Sequence, residues 1–309
     1  MTVEIASQQQ ENPASLLRES LKKVRVPYFP FGVGADAFLI TSDRINTDIL
    51  TKVKDREPDG YLVGVGFGGL LTFLNCFSSE KKPKGIIAVD INPQVVIAGR
   101  FMIEMLKTSN THTEFIDRFF NADKNTYIRE FIRIGKEDKK VKKAMSSLIK
   151  SLKKEGSLAY WVLPNPQRVY RFIAREDYES VDEDQTSKLI LDSILSNFNL
   201  LRELALSGRF IIQYGDIADS RVTEAIADLP EFKVSRNIVY VSNVAEMSLV
   251  PRGTEILEIL NNSLTFVSGP EKPSIFIDSM SSLDDSTRDY APVRVIDEKP
   301  VYSNMMFGL

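Results

Sequence analysis

Three glycines and one aspartate carry the clearest chemical signal in the chain. Gly64, Gly66 and Gly68 end an apolar run, and Asp90 ends the next apolar run, about 20 residues further on. Glycine has no Cβ atom, so the backbone can turn tightly there and a ligand can approach the main chain closely. An acid at the end of the following strand can accept hydrogen bonds from the two hydroxyl groups of a ribose. The pattern therefore predicts a site for a nucleoside-containing cofactor.

The elements that would position these residues are a strand, a glycine turn, a helix and a second strand. Further apolar runs at 209–216, 237–244 and 274–278 alternate with segments of helical pattern, and Asp216 and Asn243 lie at the ends of two of these runs. Alternating strands and helices are typical of a parallel sheet. We therefore expect an α/β fold with a Rossmann-like, doubly wound and mostly parallel sheet, whose carboxyl edge carries the site.

The spacing of the strands also predicts the domain organisation. Residues 1–57 read as an N-terminal helical extension, and residues 58–309 as the Rossmann-like cofactor-binding domain. The strands that end at Asp90 and begin near 209 lie much further apart than one crossover helix requires. We therefore expect a mainly helical insertion at about 110–184, followed by one long helix over 185–206 that Gly208 ends.

With these motifs the chain resembles the class I S-adenosylmethionine-dependent methyltransferases. The resemblance covers about half of the chain and rests on residues that match the family's cofactor-binding positions: Gly64, Gly66, Gly68, Asp90, Ile91, Asp216 and Ile217. It implies that Asp90 holds the ribose and that Ile91 packs on the adenine. It further implies that Asp216, with Ile217 beside it, accepts from the adenine amino group, and that Asn243 lies at the reaction centre. The implied cofactor is S-adenosyl-L-methionine.

Two positions depart from the pattern of that family. Members usually carry an acid, which helps to hold the methionyl amine, at the position of Leu62. Amine-modifying members also have an Asn or Asp followed by two prolines and an aromatic residue where this chain has Ser242, Asn243, Val244 and Ala245. Asp216 and Asn243 equally suit structural roles as cap or turn residues. No catalytic residue is indicated.

The glycines leave other functions open, because Gly64, Gly66 and Gly69 also satisfy the dinucleotide-binding fingerprint. An NAD(P)-dependent oxidoreductase is one alternative, although no tyrosine has a lysine four residues later. A non-catalytic protein that retains the methyltransferase fold is another, which Leu62 motivates. A variant of the first hypothesis transfers the aminocarboxypropyl group of the cofactor instead of its methyl group.

Composition narrows the classes of function further. The chain has 39 Lys and Arg against 42 Asp and Glu, a formal charge of -3, so it lacks the global basic field of nonspecific nucleic-acid binding. Its single cysteine excludes an internal disulfide, and its single histidine argues against a His-rich metal site. The first residues of the sequence lack the basic and apolar regions typical of a signal peptide, and no apolar run approaches membrane-spanning length. We expect a cytoplasmic enzyme without a metal, and a small-molecule substrate rather than a nucleic acid or a protein.

Three other features favour structural interpretations. The lysine-rich segment 136–154 has apolar residues at helical spacing, among them Val141, Ala144 and Met145, so its lysines are expected on a solvated face. Contact with an anionic partner is the alternative for these lysines. Cys76 is expected in the core, and His112 on the surface.

Overall fold

A computed structural model describes residues 13–21, 24, 43–121, 124–146, 183–217, 219–229, 231–241, 272–279 and 291–296. The strands among these residues form one sheet in the order β1-β7-β6-β5-β2-β3-β4. Their bounds are β1 (Asp43–Arg44), β2 (Tyr61–Val65), β3 (Gly85–Asp90), β4 (Phe210–Tyr214), β5 (Ile238–Tyr240), β6 (Ile275–Ser279) and β7 (Ala291–Ile296).

Five adjacent strands of this sheet, β6, β5, β2, β3 and β4, run parallel to one another. At one edge β7 is antiparallel to β6, and the short β1 pairs in parallel with β7. The chain runs outward from β2 to β3 and β4, and then returns to β5 on the other side of β2. The fold is therefore mixed α/β with a five-stranded parallel sheet, an architecture compatible with the expected Rossmann-like fold, and the direction of winding reverses beside β2.

Helices flank the sheet. Their bounds are α1 (Pro13–Leu21), α2 (Thr47–Lys54), α3 (Gly68–Leu71), α4 (Pro93–Thr108), α5 (His112–Phe119), α6 (Lys124–Glu137), α7 (Glu183–Ser196), α8 (Phe198–Leu206) and α9 (Ser220–Ala227). A 3-10 helix, Thr72–Cys76, continues α3, and residues 139–146 are also helical. None of these described helices combines the length and the apolar character that crossing a membrane requires.

Each face of the sheet has its own apolar core, because successive side chains of a strand point to opposite faces. On β3, for example, Ile86 and Ala88 belong to the first core, and Ile87 and Val89 to the second. Helices α2 to α8 contribute to the first core. Helices α1 and α9 cover the second. The strands are thus buried on both faces, which explains why they read as continuous apolar runs.

The N-terminal extension is attached to both the sheet and the insertion. Leu17 and Leu21 of α1 are buried in the second core. The Lys140 ammonium group donates to the carbonyl oxygens of Leu21 and Val24, at 2.6 and 2.7 Å. A cation at the carboxyl end of a helix satisfies carbonyl groups that have no partner within the helix. The extension is not wholly helical, since residues 43–44 form β1.

Two helices differ from the sequence-based expectation. The helix expected over 185–206 is divided at Asn197, whose side-chain amide donates to the Ser193 carbonyl oxygen at 2.9 Å and to Asn75 Oδ1 at 2.8 Å. A side chain that bonds the preceding turn competes with the helical backbone. The helix after the glycine turn is also short, because α3 changes to a 3-10 helix at Thr72.

Where the insertion is described, it is helical, in α5, α6 and residues 139–146. Val141 and Met145 are buried against the first core, and Lys139, Lys142 and Lys143 are exposed, as the sequence predicts. The placements predicted for Cys76 in the core and for His112 on the surface are confirmed. Burial raises the pKa of the Cys76 thiol to about 12, so the thiol stays protonated at neutral pH.

Candidate functional site

The glycine turn begins where β2 ends, at the carboxyl edge of the sheet. Gly66, directly after β2, has φ of +60°, in the left-handed region that disfavours residues with a Cβ atom. A Cβ atom built on Gly66 would meet one described atom within 4 Å, namely Asp90 Oδ2 at 3.8 Å. The glycine turn and the acid predicted to act with it therefore lie side by side.

Asp90 is the last residue of β3, on the strand next to β2. Burial raises the pKa of its carboxyl group from the ordinary value of 3.8 to about 7, although the backbone N–H groups of Asn92 and Gly66 donate to the carboxylate and act in the opposite direction. The bond from the Asn92 N–H to Oδ1 is 2.7 Å long. Part of the residue still reaches solvent. Asp90 is thus a poorly hydrated acid at the edge of the sheet, and the protonation of its carboxyl group changes near neutral pH.

The Asp90 carboxylate can accept more hydrogen bonds than the protein backbone donates to it. A carboxylate has about four acceptor positions, and within the described part of the chain its backbone donors are the N–H groups of Asn92 and Gly66. The positions that remain suit hydroxyl donors of a ligand. A ribose carries two neighbouring hydroxyl groups, so a nucleoside matches this acid better than a ligand with a single donor.

The other glycines of the turn serve mainly for packing. A Cβ atom on Gly64 would lie 2.2 Å from the Tyr240 carbonyl oxygen, so this glycine allows β2 and β5 to pack closely. A Cβ atom on Gly69 would lie 2.7 Å from the Tyr240 hydroxyl oxygen, so Gly69 allows α3 to pack on β5. Gly68 is buried as the first residue of α3. Of these four glycines, Gly66 is the one beside Asp90.

The end of β4 lies next to the end of β3. The Gly215 N–H donates to the Asp90 carbonyl oxygen at 3.0 Å, which places the following Asp216 at the same edge of the sheet as Asp90. The cap of α9 is Asp219, whose side chain accepts from the Arg221 N–H at 3.0 Å. Asp216 is therefore not the capping residue of α9, and its carbonyl oxygen accepts from the Asp219 N–H, at 3.1 Å, in the turn before this helix. Ligand binding by its carboxylate stays a prediction.

The two isoleucines that follow these acids differ in their surroundings. Ile217 is buried in the second core with Val222 and Ile226 of α9. Ile91 is partly exposed and belongs to neither core. Since an apolar side chain at the edge of the site can cover a flat ring, Ile91 is better placed than Ile217 to touch a base directly.

Leu62, which stands where the resembling family carries an acid, is fully buried in the first core and provides no polar contact. Asn243 lies outside the described residues. The part of the chain that the structure describes contains no group of three His, Cys, Asp or Glu residues that could hold a metal ion.

Three polar residues at and around the end of β4, namely Tyr214, Arg100 and Asp138, were not predicted from the sequence. Tyr214, the last residue of β4, pairs with Asp90 in the register of the two strands. Arg100 of α4 donates to Asp138 Oδ2 at 3.0 Å and to the Ile212 carbonyl oxygen at 3.1 Å. Burial, together with the negative charges of Asp138 and Asp90, raises the pKa of the Tyr214 hydroxyl to about 12. Position in β4 is a sequence signal for Tyr214, but the contacts of Arg100 and Asp138 depend on how the insertion packs.

Comparison with known proteins gives one positive finding. No curated protein matches the chain at a significant level. Residues 50–251, which include the glycine turn, Asp90 and Asp216, match a protein family described as "Domain of unknown function (DUF7790)". This match covers more than half of the chain, and the protein therefore belongs to the DUF7790 family.

Proposed function

We propose that the protein has a Rossmann-like fold and is a methyltransferase that binds S-adenosyl-L-methionine at the carboxyl ends of β2, β3 and β4 and methylates a small molecule. One observation carries this proposal: Gly66, at the turn after β2, lies next to the carboxylate of Asp90, with a Cβ atom built on Gly66 3.8 Å from Asp90 Oδ2, and the winding of the sheet reverses beside β2. In open α/β sheets, ligands bind outside the carboxyl ends of the strands at such a reversal.

The residues at this edge suit the parts of an adenosyl group. The free acceptor positions of Asp90 would take the ribose hydroxyl groups, and the space beside Gly66 would let the ligand approach the backbone. Ile91 would cover the adenine, and Asp216 would accept from its amino group, with Ile217 packed behind this loop. Asn243 remains the candidate for the reaction centre. Since Leu62 is buried, another residue must hold the methionyl amine.

Methyl transfer is chemistry that this chain can support with few titratable groups. S-adenosylmethionine supplies a methyl group on a positively charged sulfur, and an acceptor atom forms a bond to that carbon as the carbon–sulfur bond breaks. Alignment of donor and acceptor accounts for much of the rate of such a displacement. The task of the protein is then to bind and orient both partners and to exclude water. Product mass would distinguish methyl transfer from aminocarboxypropyl transfer.

A second candidate, a nicotinamide dinucleotide site, is favoured by one packing contact. In dinucleotide-binding folds the third glycine of the fingerprint allows the helix to pack closely on the sheet. Gly69 has this role here, because Tyr240 leaves no room for a side chain. This candidate predicts that NADH fluorescence changes on titration with the protein, and the first candidate predicts no change.

Isothermal titration with S-adenosylhomocysteine, the demethylated product, tests the proposal. We expect saturable binding by the natural protein, binding at least tenfold weaker for Asp90→Asn, and unchanged binding for Asp228→Asn. Asp228 is a suitable control because its exposed carboxylate pairs with Lys233, at 3.1 Å, away from the strand ends. If the natural protein shows no saturable binding at millimolar ligand, the proposal is wrong.

A further inference from the structure

Tyr214 occupies a special place beside the acid that is proposed to hold the ribose. Tyr214 and Asp90 are the last residues of neighbouring parallel strands and are partners in the register. The alternation of β3 and β4 directs both side chains to the face of the first core, where Ala88 and Ile212 also lie. The phenol ring and the carboxylate thus leave the sheet side by side.

The hydroxyl group of Tyr214 has no hydrogen-bond acceptor among the described residues. Its ring is buried, with 6% of the residue exposed. Yet the fully enclosed side-chain atoms without a partner in the described part of the chain are Ser109 Oγ and Gln213 Oε1, and the Tyr214 hydroxyl is not among them. The hydroxyl is therefore not fully enclosed, although the ring that carries it is buried, and a ligand at the edge of the sheet can reach it.

The carboxylate of Asp138, whose charge acts on Tyr214, already accepts hydrogen bonds from other groups. Asp138 Oδ2 accepts from Arg100, and Asp138 Oδ1 accepts from the N–H groups of Lys140, at 2.9 Å, and Val141, at 3.3 Å. Three donors thus already hold the Asp138 carboxylate in place. Since the pKa of the Tyr214 hydroxyl is raised to about 12, the group keeps its proton at neutral pH and acts as a donor.

We propose that the Tyr214 hydroxyl donates a hydrogen bond to a ribose hydroxyl oxygen of the ligand, so that Tyr214 and Asp90 together select a ribonucleoside over a deoxyribonucleoside. A ribose hydroxyl can donate to the Asp90 carboxylate and accept from Tyr214 at the same time, because it has one proton and two lone pairs. This assignment rests on the adenosyl-binding function proposed above. With this hydrogen bond the protein would distinguish the sugar of the ligand independently of any contact to the base.

The variant that tests the assignment is Tyr214→Phe, which keeps the buried ring and removes only the hydroxyl group. Its matched control is Tyr61→Phe, since Tyr61 is a buried tyrosine at the opposite end of the parallel strand β2, which β3 separates from β4, and it faces the second core. The probes are S-adenosylhomocysteine and its 2′-deoxy and 3′-deoxy analogues, measured by isothermal titration. Melting temperatures establish that both variants are folded.

We expect the natural protein to bind S-adenosylhomocysteine more tightly than at least one deoxy analogue. Tyr214→Phe should weaken the binding of S-adenosylhomocysteine about three- to tenfold and leave the binding of that deoxy analogue nearly unchanged. Tyr61→Phe should preserve the preference for ribose. Should Tyr214→Phe not fold, 3-fluorotyrosine at position 214 provides a second measurement: its fluorine resonance should shift more with S-adenosylhomocysteine than with the deoxy analogue.

Unchanged ribose preference in Tyr214→Phe, equal weakening of all three probes, or equal fluorine shifts would overturn the assignment of Tyr214. In each of these cases the natural protein still binds S-adenosylhomocysteine, so the proposed function stands. If the natural protein binds none of the probes, the proposed function fails, and the assignment fails with it.

Discussion

Replacing Asp90 by asparagine should stabilise the ligand-free protein and weaken the binding of its ligand. The native carboxyl group keeps its proton up to a pH of about 7, whereas the same group in the unfolded chain loses its proton above the ordinary pKa of 3.8. Its contribution to the free energy of unfolding therefore falls as the pH rises from 3.8 to about 7, and then stays constant. The difference between these two pKa values corresponds to an upper limit of about 4 kcal/mol.

The expected gain is smaller than this limit, because part of Asp90 reaches solvent. Asparagine can still accept from the Gly66 and Asn92 N–H groups and carries no charge to desolvate. We expect Asp90→Asn to raise the free energy of unfolding by about 2 kcal/mol at pH 8, and by less than about 1 kcal/mol at pH 5. A functional acid that destabilises the ligand-free fold would be a case of activity limiting stability.

Urea unfolding followed by circular dichroism at both pH values measures these gains. Asp228→Asn is the control, because the Asp228 carboxylate is exposed and its loss should change stability by less than about 0.5 kcal/mol at either pH. An Asp90→Asn variant that is less stable than the natural protein at pH 8, or stabilised equally at both pH values, would refute the reasoning that burial raises the pKa of this acid.

Three other predictions concern the same edge of the sheet. Affinity for S-adenosylhomocysteine should fall by about tenfold or more from pH 8 to pH 5.5, because the ligand hydroxyl groups donate to the ionised form of Asp90. The pH dependence of affinity should vanish in Asp90→Asn. Titration calorimetry at a series of pH values measures both effects. Gly66→Ala should lower the free energy of unfolding by about 1–2 kcal/mol and also weaken ligand binding. The control is Gly208→Ala: Gly208 also has a positive φ, of +70°, so its replacement should lower stability similarly and leave binding intact. Unchanged binding in Gly66→Ala would contradict the placement of the ligand beside Gly66. Gly69→Ala should lower the free energy of unfolding by about 1–3 kcal/mol, because the new Cβ atom meets the Tyr240 hydroxyl oxygen. In a double-mutant cycle measured by urea denaturation, Tyr240→Phe should restore part of this loss. Strictly additive effects of the two changes would count against the contact.

The central strands could be predicted from the sequence because they are buried on both faces. Such strands read as continuous apolar runs, and β2, β3 and β4 lie within the predicted segments. Asp90 could be predicted because it directly ends such a run. Short elements left no comparable pattern: β1 has two residues, and its pairing with β7 depends on contacts between distant parts of the chain.

The details of the site depend on neighbours in space, which one sequence does not reveal. The glycines of the turn look equivalent as letters, but Gly64 and Gly69 are required by Tyr240, and Gly66 by its backbone conformation. Ile91 and Ile217 occupy matching positions after their acids, and only the packing of α9 distinguishes them. Tyr214 becomes a candidate once the register of β3 and β4 places it beside Asp90.

A crystal structure of the protein with S-adenosylhomocysteine tests the central claim most directly. We predict that the ribose lies beside Gly66 and Asp90 at the carboxyl edge of the sheet, with at least one ribose hydroxyl oxygen within hydrogen-bond distance, about 2.6–3.2 Å, of the Asp90 carboxylate. A ligand bound elsewhere on the protein, or a ribose that makes no hydrogen bond to Asp90, would contradict the account.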